Sequence, residues 1–294
     1  MKEIVVISGK GGTGKTSIAA SFASLAGGTA VLADCDVDAA DLHLILKPHI
    51  KQRTEFRSGH RAVIVNSKCT GCGTCENLCR FDAVRRAENG TYSIDPVACE
   101  GCGVCVRFCP ADAVDFPEET CGEWFVSDTR FGTMVHARLG VAAENSGKLV
   151  TLVRNEANKT ALKQGADFIV VDGSPGIGCP VIASLTAADA ALIVTEPTVS
   201  GEHDLGRIAE LTKRLNIPTM VCVNKWDINR SAADRIVEFA ESHGIKTAGR
   251  IRYDKAVTEA QRHEKAIPEY SEGGISEDIV SIWEFITARS GCDK

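Results

Sequence analysis

Eight cysteines fall in two runs of one spacing: Cys69, Cys72, Cys75 and Cys79, then Cys99, Cys102, Cys105 and Cys109 thirty residues further on. C-x-x-C-x-x-C-x-x-x-C written twice gives compact thiolate triplets, each with a more distant fourth cysteine, and this is the donor set a cubane [4Fe-4S] cluster requires. Zinc usually takes its cysteines in pairs. A second chemistry stands near the N-terminus, where Gly9-Lys10-Gly11-Gly12-Thr13-Gly14-Lys15-Thr16 fits G-x-x-x-x-G-K-[ST] and runs into Ser17-Ile18-Ala19-Ala20, a helix start. The glycines let backbone N–H groups close around a β-phosphate, and the helix N-terminus adds partial positive charge. Lys15 then reaches the β- and γ-phosphates, and Thr16 holds Mg2+.

Carboxylates stand where apolar runs end. Asp34-Cys35-Asp36-Val37-Asp38 closes one run, and Asp172 closes Phe168-Ile169-Val170-Val171 ahead of the turn Gly173-Ser174-Pro175-Gly176. At such a position a carboxylate reaches Mg2+ or an attacking water, although Asp34 and Asp38 serve equally as helix caps or loop residues. Asn224-Lys225-Trp226-Asp227 follows another run and matches the N-K-x-D element by which many GTPases read guanine.

The elements that carry these groups are short β-branched runs at 4–7, 30–33, 149–153, 168–171, 191–195 and 219–223, mostly separated by helix-like stretches. Continuous apolar strands alternating with helices predict an α/β fold, a mainly parallel sheet with helices on both faces. The cysteine-rich segment interrupts this pattern and repeats within itself, so it reads as an insert. The expected domains are 1–59 with 119–294, and 60–118 between them. The stretch from Cys121 to Val150, with Trp124, Phe125, Phe131 and Glu144-Asn145-Ser146-Gly147, reads as a hairpin or extended connection back to the sheet. Ile275, Ile279, Ile282, Trp283 and Ile286 mark an amphipathic helix that docks on the protein's own core.

Of 294 residues, 44% are apolar and 24% charged, enough for a large core, and the formal charge of -6 argues against a broad nucleic-acid or anionic-lipid surface. Thirteen cysteines without a secretory signal point to metal and a reducing compartment. The apolar run after Met1 is four residues long and ends in glycine, so it reads as a strand. No stretch approaches the roughly 20 apolar residues of a membrane span. A cytoplasmic protein is expected. His43, His136 and His203 read as packing or surface residues rather than ligands.

The loop Lys10-Gly11-Gly12-Thr13-Gly14-Lys15-Thr16 resembles the deviant Walker A loop of the MinD/ParA/Mrp and nitrogenase iron protein superfamily. The resemblance implies a Mg-dependent ATPase that forms an ATP sandwich, as a homodimer or as a heterodimer with a paralogue, with Lys10 crossing to the partner's phosphates. It makes Asp36 the residue that orients the attacking water and Asp172 the Walker B carboxylate. Asn224 and Lys225, with Glu196-Pro197-Thr198, then lie at the base, with ATP favoured and GTP the alternative. Segment 60–118 resembles a bacterial two-cluster ferredoxin, in which the fourth cysteine of each run crosses over. Cys69, Cys72 and Cys75 thus go with Cys109, and Cys99, Cys102 and Cys105 with Cys79. Pro110 follows Cys109 as usual, but Arg80 follows Cys79, and a nearby cation would raise the potential of that cluster. By the same resemblance Cys179, seven residues after Asp172, sits where an iron protein ligates a bridging cluster, with Cys121 the candidate second ligand. The implied function is nucleotide-dependent dimer closure coupled to electron transfer or metal-cofactor assembly on a redox or metalloprotein partner. The alternative is a MinD/ParA-like spatial switch in cell division with redox-sensing clusters.

Overall fold

The computed structural model describes residues 1–140 and 146–288; Glu144, Asn145 and Cys292 lie outside the described residues. From the N-terminus, β1 (Lys2–Ser8) leads through the glycine loop to α1 (Lys15–Leu25), β2 (Ala30–Asp34), α2 (Leu42–Leu46) and β3 (His49–His60). Short elements follow: β4 (Val63–Ile64), α3 (Thr74–Leu78), β5 (Val84–Arg86), β6 (Tyr92–Ile94), α4 (Val104–Arg107) and β7 (Val114–Asp115). Then come β8 (Glu118–Thr129), β9 (Gly132–Leu139), α5 (Ser146–Gln164), β10 (Phe168–Pro175), α6 (Cys179–Leu185), β11 (Ala190–Thr195) and α7 (Val199–Arg214). β12 (Thr219–Asn224), α8 (Arg230–Ser242), β13 (Lys246–Ile251), α9 (Ala256–Arg262), α10 (Ile267–Tyr270) and α11 (Ile275–Ala288) complete the order. The chain divides into two compact units, one of Met1–Thr54, Trp124–Arg138 and the chain from Ser146 on, the other of Glu55–Glu123 followed by Leu139 and Gly140.

In the large sheet the strands run β13-β12-β11-β1-β10-β2-β9-β8-β3. The seven from β13 to β9 are parallel. β8 and β9 are joined only by Arg130 and Phe131, a connection so short that the two strands must be antiparallel. Parallel strands are buried on both faces, and β1 obeys this: Ile4, Val5, Val6 and Ile7 are all fully buried. One face carries Ile4, Val6, Leu32, Val170, Leu192 and Val194 into a core with Ile18 and Phe22 of α1 and Ile279, Ile282, Trp283 and Ile286 of α11. Trp283 closes it against Phe22 and Phe168, ring centroids 5.1 and 5.2 Å away. At roughly 1.5–3 kcal/mol per buried large side chain, α11 belongs to the core, as its spacing predicts. α5 and α6 pack against β2, β10 and β1, and α7 and α8 against β11 to β13.

One expected strand is a helix. Residues 149–153 are the first turns of α5, in which Leu149, Val150, Val153, Ala157 and Ala161 are buried. Those positions recur every three or four residues, and the run continues through helix formers as far as Gln164, so the 3.6 period overrides the local β-branched composition.

The second unit holds two antiparallel pairs, β4 with β7 and β5 with β6. Its two cysteine runs fold alike: α3 follows Gly73 and α4 follows Gly103, each glycine left-handed. The sequence boundaries 60–118 fall inside this unit.

Candidate nucleotide site and cysteine cavities

The parallel strands deliver their chemistry at one edge, their carboxyl ends, where open α/β sheets bind ligands. The glycine loop leaves β1 there and enters α1. Gly14 has φ 90°, and a Cβ on it would lie 2.5 Å from Asn224 Nδ2, so only glycine fits. Gly11 and Gly12 are exposed, Thr13 and Ser17 are buried, and Thr16 is half-buried at the start of α1. The Ser17 hydroxyl accepts a hydrogen bond from Gln261 Nε2 of α9 at 2.9 Å.

Lys15 is buried between two carboxylates, its Nζ 2.8 Å from Asp172 Oδ1 and 3.3 Å from Asp36 Oδ2. Burial alone would lower the pKa of its ammonium; Asp172 and Asp36 together outweigh burial and raise it. Asp34 is opposite Asp172 in the β2–β10 register and is fully buried. Burial, reinforced by the charge of Asp172, pushes its carboxyl well above the usual range. Asp36, half-buried just past β2, is raised by burial against the opposing pull of Lys15. Asp34 Oδ2 and Asp172 Oδ2 are buried and have no hydrogen-bond partner. Three acids on one lysine with orphaned oxygens suit a divalent cation that brings its own phosphate ligands. Asp38 is exposed. The two switch segments touch directly, since the Ser174 hydroxyl donates to Cys35 O at 2.6 Å.

Lys10 lies 3.5 Å from Glu196 Oε2 and 3.2 Å from Ser200 Oγ. The other Glu196 oxygen holds Lys225 Nζ at 2.5 Å. Asn224 donates to Thr13 O at 2.7 Å and accepts from Lys225 N at 2.9 Å, so it ties β12 to the glycine loop. Beside the loop opens a cavity of about 220 Å³, walled by Gly12, Gly14, Asn224, Arg252, Tyr253 and Asp254 among others. Lys225 belongs to this wall; Glu196 and the buried Pro197 lie outside it. Arg252, Tyr253 and Asp254 escaped the sequence reading because no local motif marks them, and the strand they follow, Lys246–Ile251, mixes polar, small and apolar residues.

Across the hairpin end, Arg130 donates to Ile45 O and Leu46 O of α2 and to Glu264 O, and grips both oxygens of Glu269 at 2.7 Å. One guanidinium therefore links the β8–β9 turn to α2 and α10.

In the second unit two small voids of about 20 Å³ each are walled by cysteines. Cys69, Cys72, Cys75 and Cys109 line the first; Cys79, Cys99, Cys102 and Cys105 line the second. Among the described residues no group of three or more His, Cys, Asp or Glu side chains could hold a single metal ion. Two contacts already reach the sulfurs of the first quartet: Cys109 Sγ accepts from Ala113 N at 3.3 Å, and Cys72 Sγ lies 3.4 Å from Thr74 Oγ1.

The remaining cysteines part ways. Cys179, the first residue of α6, is exposed. Cys121 is buried and its thiol donates to Ser58 O at 2.8 Å, which commits it to packing rather than to a bridging ligand. Cys35 and Cys222 are buried in the first unit, and burial raises both thiols. His136 is a packing residue, stacked on Phe125 and bonded to Ser127 Oγ at 2.9 Å; His203 is exposed.

The sequence profile of the CobQ/CobB/MinD/ParA nucleotide binding domain matches residues 4–267. The uncharacterized protein MJ0578 of Methanocaldococcus jannaschii is 35% identical over 230 residues, 77% of this chain and 79% of that protein. Among solved structures, the septum site-determining protein MinD of Pyrococcus horikoshii, complexed with Mg-ADP, superposes with a TM-score of 0.59 at 16% identity, over 99% of this chain and 97% of its own. The cell division ATPase MinD of Pyrococcus furiosus gives 0.58 at 17%, over 98% and 99%. These last two likenesses are of fold. Matched from its first strand to the start of α10, the chain belongs to the CobQ/CobB/MinD/ParA nucleotide binding domain family.

Proposed function

We propose that this chain, a P-loop ATPase of its family, couples ATP-driven dimer closure to a two-cluster iron–sulfur unit that serves a redox or metalloprotein partner. In this reading Lys15 and the loop amides take the phosphates. Thr16 and the orphaned carboxylate oxygens around Asp172 receive Mg2+, and Asp36 orients the attacking water. ATP binding draws Lys15 away from Asp172 and Asp36, because the phosphates replace these carboxylates as its counter-charge. Lys10 leaves Glu196 to meet the phosphates of a second subunit.

The observation that carries the iron–sulfur half is the composition of the two voids, each walled by three cysteines of one run and the fourth of the other. Cys69, Cys72, Cys75 and Cys109 would hold one [4Fe-4S] cluster, and Cys99, Cys102, Cys105 and Cys79 the other. Such clusters supply one-electron chemistry when bound. Anaerobic purification should yield about eight irons per chain, and redox titration should show midpoints that move when ATP is added. Iron below about one per chain in an active ATPase would leave the second reading, a spatial switch. That reading is favoured by the structural likeness to the two MinD proteins, one described as a cell division ATPase and one as septum site-determining.

A further inference from the structure

The two cysteine runs are an internal duplication, so each residue of one run has a counterpart thirty positions away in the other. The backbone repeats closely: Thr74 opens α3 and Val104 opens α4, each after a left-handed glycine, and Asp82 and Asp112 share a positive φ of 50° and 48°. Burial raises the thiols of Cys75 and Cys105 alike. The walls of the two voids are not alike. Thr70 and Thr74 line the first, and their counterparts in the second are Glu100 and Val104. Tyr92 also lines the first void but gives its hydroxyl to Glu76, whereas no side-chain hydroxyl lines the second. Thr74 Oγ1 stands 3.4 Å from Cys72 Sγ, and Val104 has no donor to offer Cys102. The Thr74 hydroxyl and amide, helped by the Thr70 hydroxyl, hold the Cys72 thiol below its ordinary range.

We infer that the two quartets differ in electron affinity: the cluster on Cys69, Cys72, Cys75 and Cys109 takes an electron before the cluster on Cys99, Cys102, Cys105 and Cys79, and Thr74 and Glu100 set that order. The inference rests on the reading that each quartet holds a [4Fe-4S] cluster. Reduction moves one electron from an external one-electron donor to a cluster; no bond forms or breaks and no proton moves. The added negative charge spreads onto the ligand sulfurs. A hydroxyl that donates to such a sulfur therefore holds the reduced form more firmly and raises the potential, while a carboxylate in the wall repels the added charge and lowers it. Arg80, beside Cys79, pulls the other way. It is exposed and lines neither void, as is also true of Lys68 and Arg107, so solvent screens it; Glu100, exposed as well, belongs to the second wall. The order is thus the reverse of the one that Arg80 alone predicts.

The full chain is purified anaerobically, assayed for iron and titrated with dithionite under EPR, as wild type, Thr74→Val, Thr74→Ser, Glu100→Gln and Arg80→Gln. Wild type should carry about eight irons and show two midpoints. Thr74→Val keeps the shape without the donor and should lower the higher midpoint about fivefold in electron affinity, or ~40 mV at ~59 mV per tenfold for one electron. Thr74→Ser should return it to the wild-type value. Glu100→Gln should raise the lower midpoint about twofold in electron affinity, and Arg80→Gln should leave the higher one in place. Iron content in each variant checks that both quartets are intact. About eight irons with a single shared midpoint, or with midpoints that Thr74→Val does not move, would overturn the inference and leave the clusters standing. A fall of the lower midpoint in Thr74→Val, or of the higher one in Arg80→Gln, would invert the order and overturn it as well. Iron below about one per chain would overturn the cluster reading and the inference with it.

Discussion

Lys15 shows how much one buried charge depends on its neighbours. Its ammonium is stable at the centre of the sheet edge because Asp172 and Asp36 flank it, whereas burial and the charge of Asp172 disfavour the ionised form of Asp34. His136 is the opposite case, a titratable ring kept neutral. Burial, with a smaller contribution from His43, holds its pKa down to about 4, against 6.5 for an ordinary histidine. Between those values the unfolded chain binds a proton that the folded chain refuses, so stability is complete above pH 6.5 and is lost as pH falls toward 4. The loss should be about 3 kcal/mol, from 1.36 kcal/mol per pKa unit. Urea unfolding at pH 7.5, 5.5 and 4.5 measures it. His136→Gln keeps a partner for Ser127 and should flatten this part of the profile; an equal acid loss in both proteins would assign it to other groups. Lys15, Asp36 and Asp172 were legible as neighbours because they lie in one contiguous loop motif or just at strand ends. Arg252 and Tyr253 were not, because the carboxylates that hold them, Asp278 and Asp227, approach from other elements.

Among the elements, the central strands could be read because burial on both faces makes a parallel strand a continuous apolar run. β13 could not: Lys246-Thr247-Ala248-Gly249-Arg250-Ile251 lies at the sheet edge, and its pattern mixes small, polar and apolar residues. α5 was misread for the converse reason, an apolar cluster at its first turns that resembles a strand until the longer period is counted. Arg130 shows what binds elements that no periodicity connects. Its removal leaves the carbonyls of Ile45, Leu46 and Glu264 and the carboxylate of Glu269 without their common donor. Arg130 is about one-third exposed, so screening reduces the value of the ion pair. Arg130→Ala should cost about 2 kcal/mol, or roughly 4–8 °C in melting temperature by calorimetry. Because α10 supplies Ile267 to the cavity beside the glycine loop, ADP affinity should also fall. Unchanged melting and unchanged affinity would mean that the turn, α2 and α10 hold their places without it.

For the whole molecule, the decisive group is Lys10, half-exposed and held within its own chain by Glu196 and Ser200. If closure carries it to a second subunit, Lys10→Ala should still bind nucleotide but hydrolyse it about a hundredfold more slowly. Asp36→Asn should accumulate an ATP-bound dimer on gel filtration. Wild-type turnover by Lys10→Ala, or an Asp36→Asn protein that stays monomeric with ATP, would count against the sandwich. Among the described residues no helix is long and apolar enough to cross a membrane.

β3 and β8 lie side by side in the sheet, so the chain departs for the cysteine-bearing unit and returns through neighbouring strands. A turn as short as the one between β8 and β9 would join them, and no strand would change its place in the order. In evolutionary terms the unit is a cassette with a single doorway. It can be gained or lost in one in-frame event that leaves the crossovers of the parallel sheet untouched. Genes with and without the cassette are therefore expected to encode the same nucleotide-binding core.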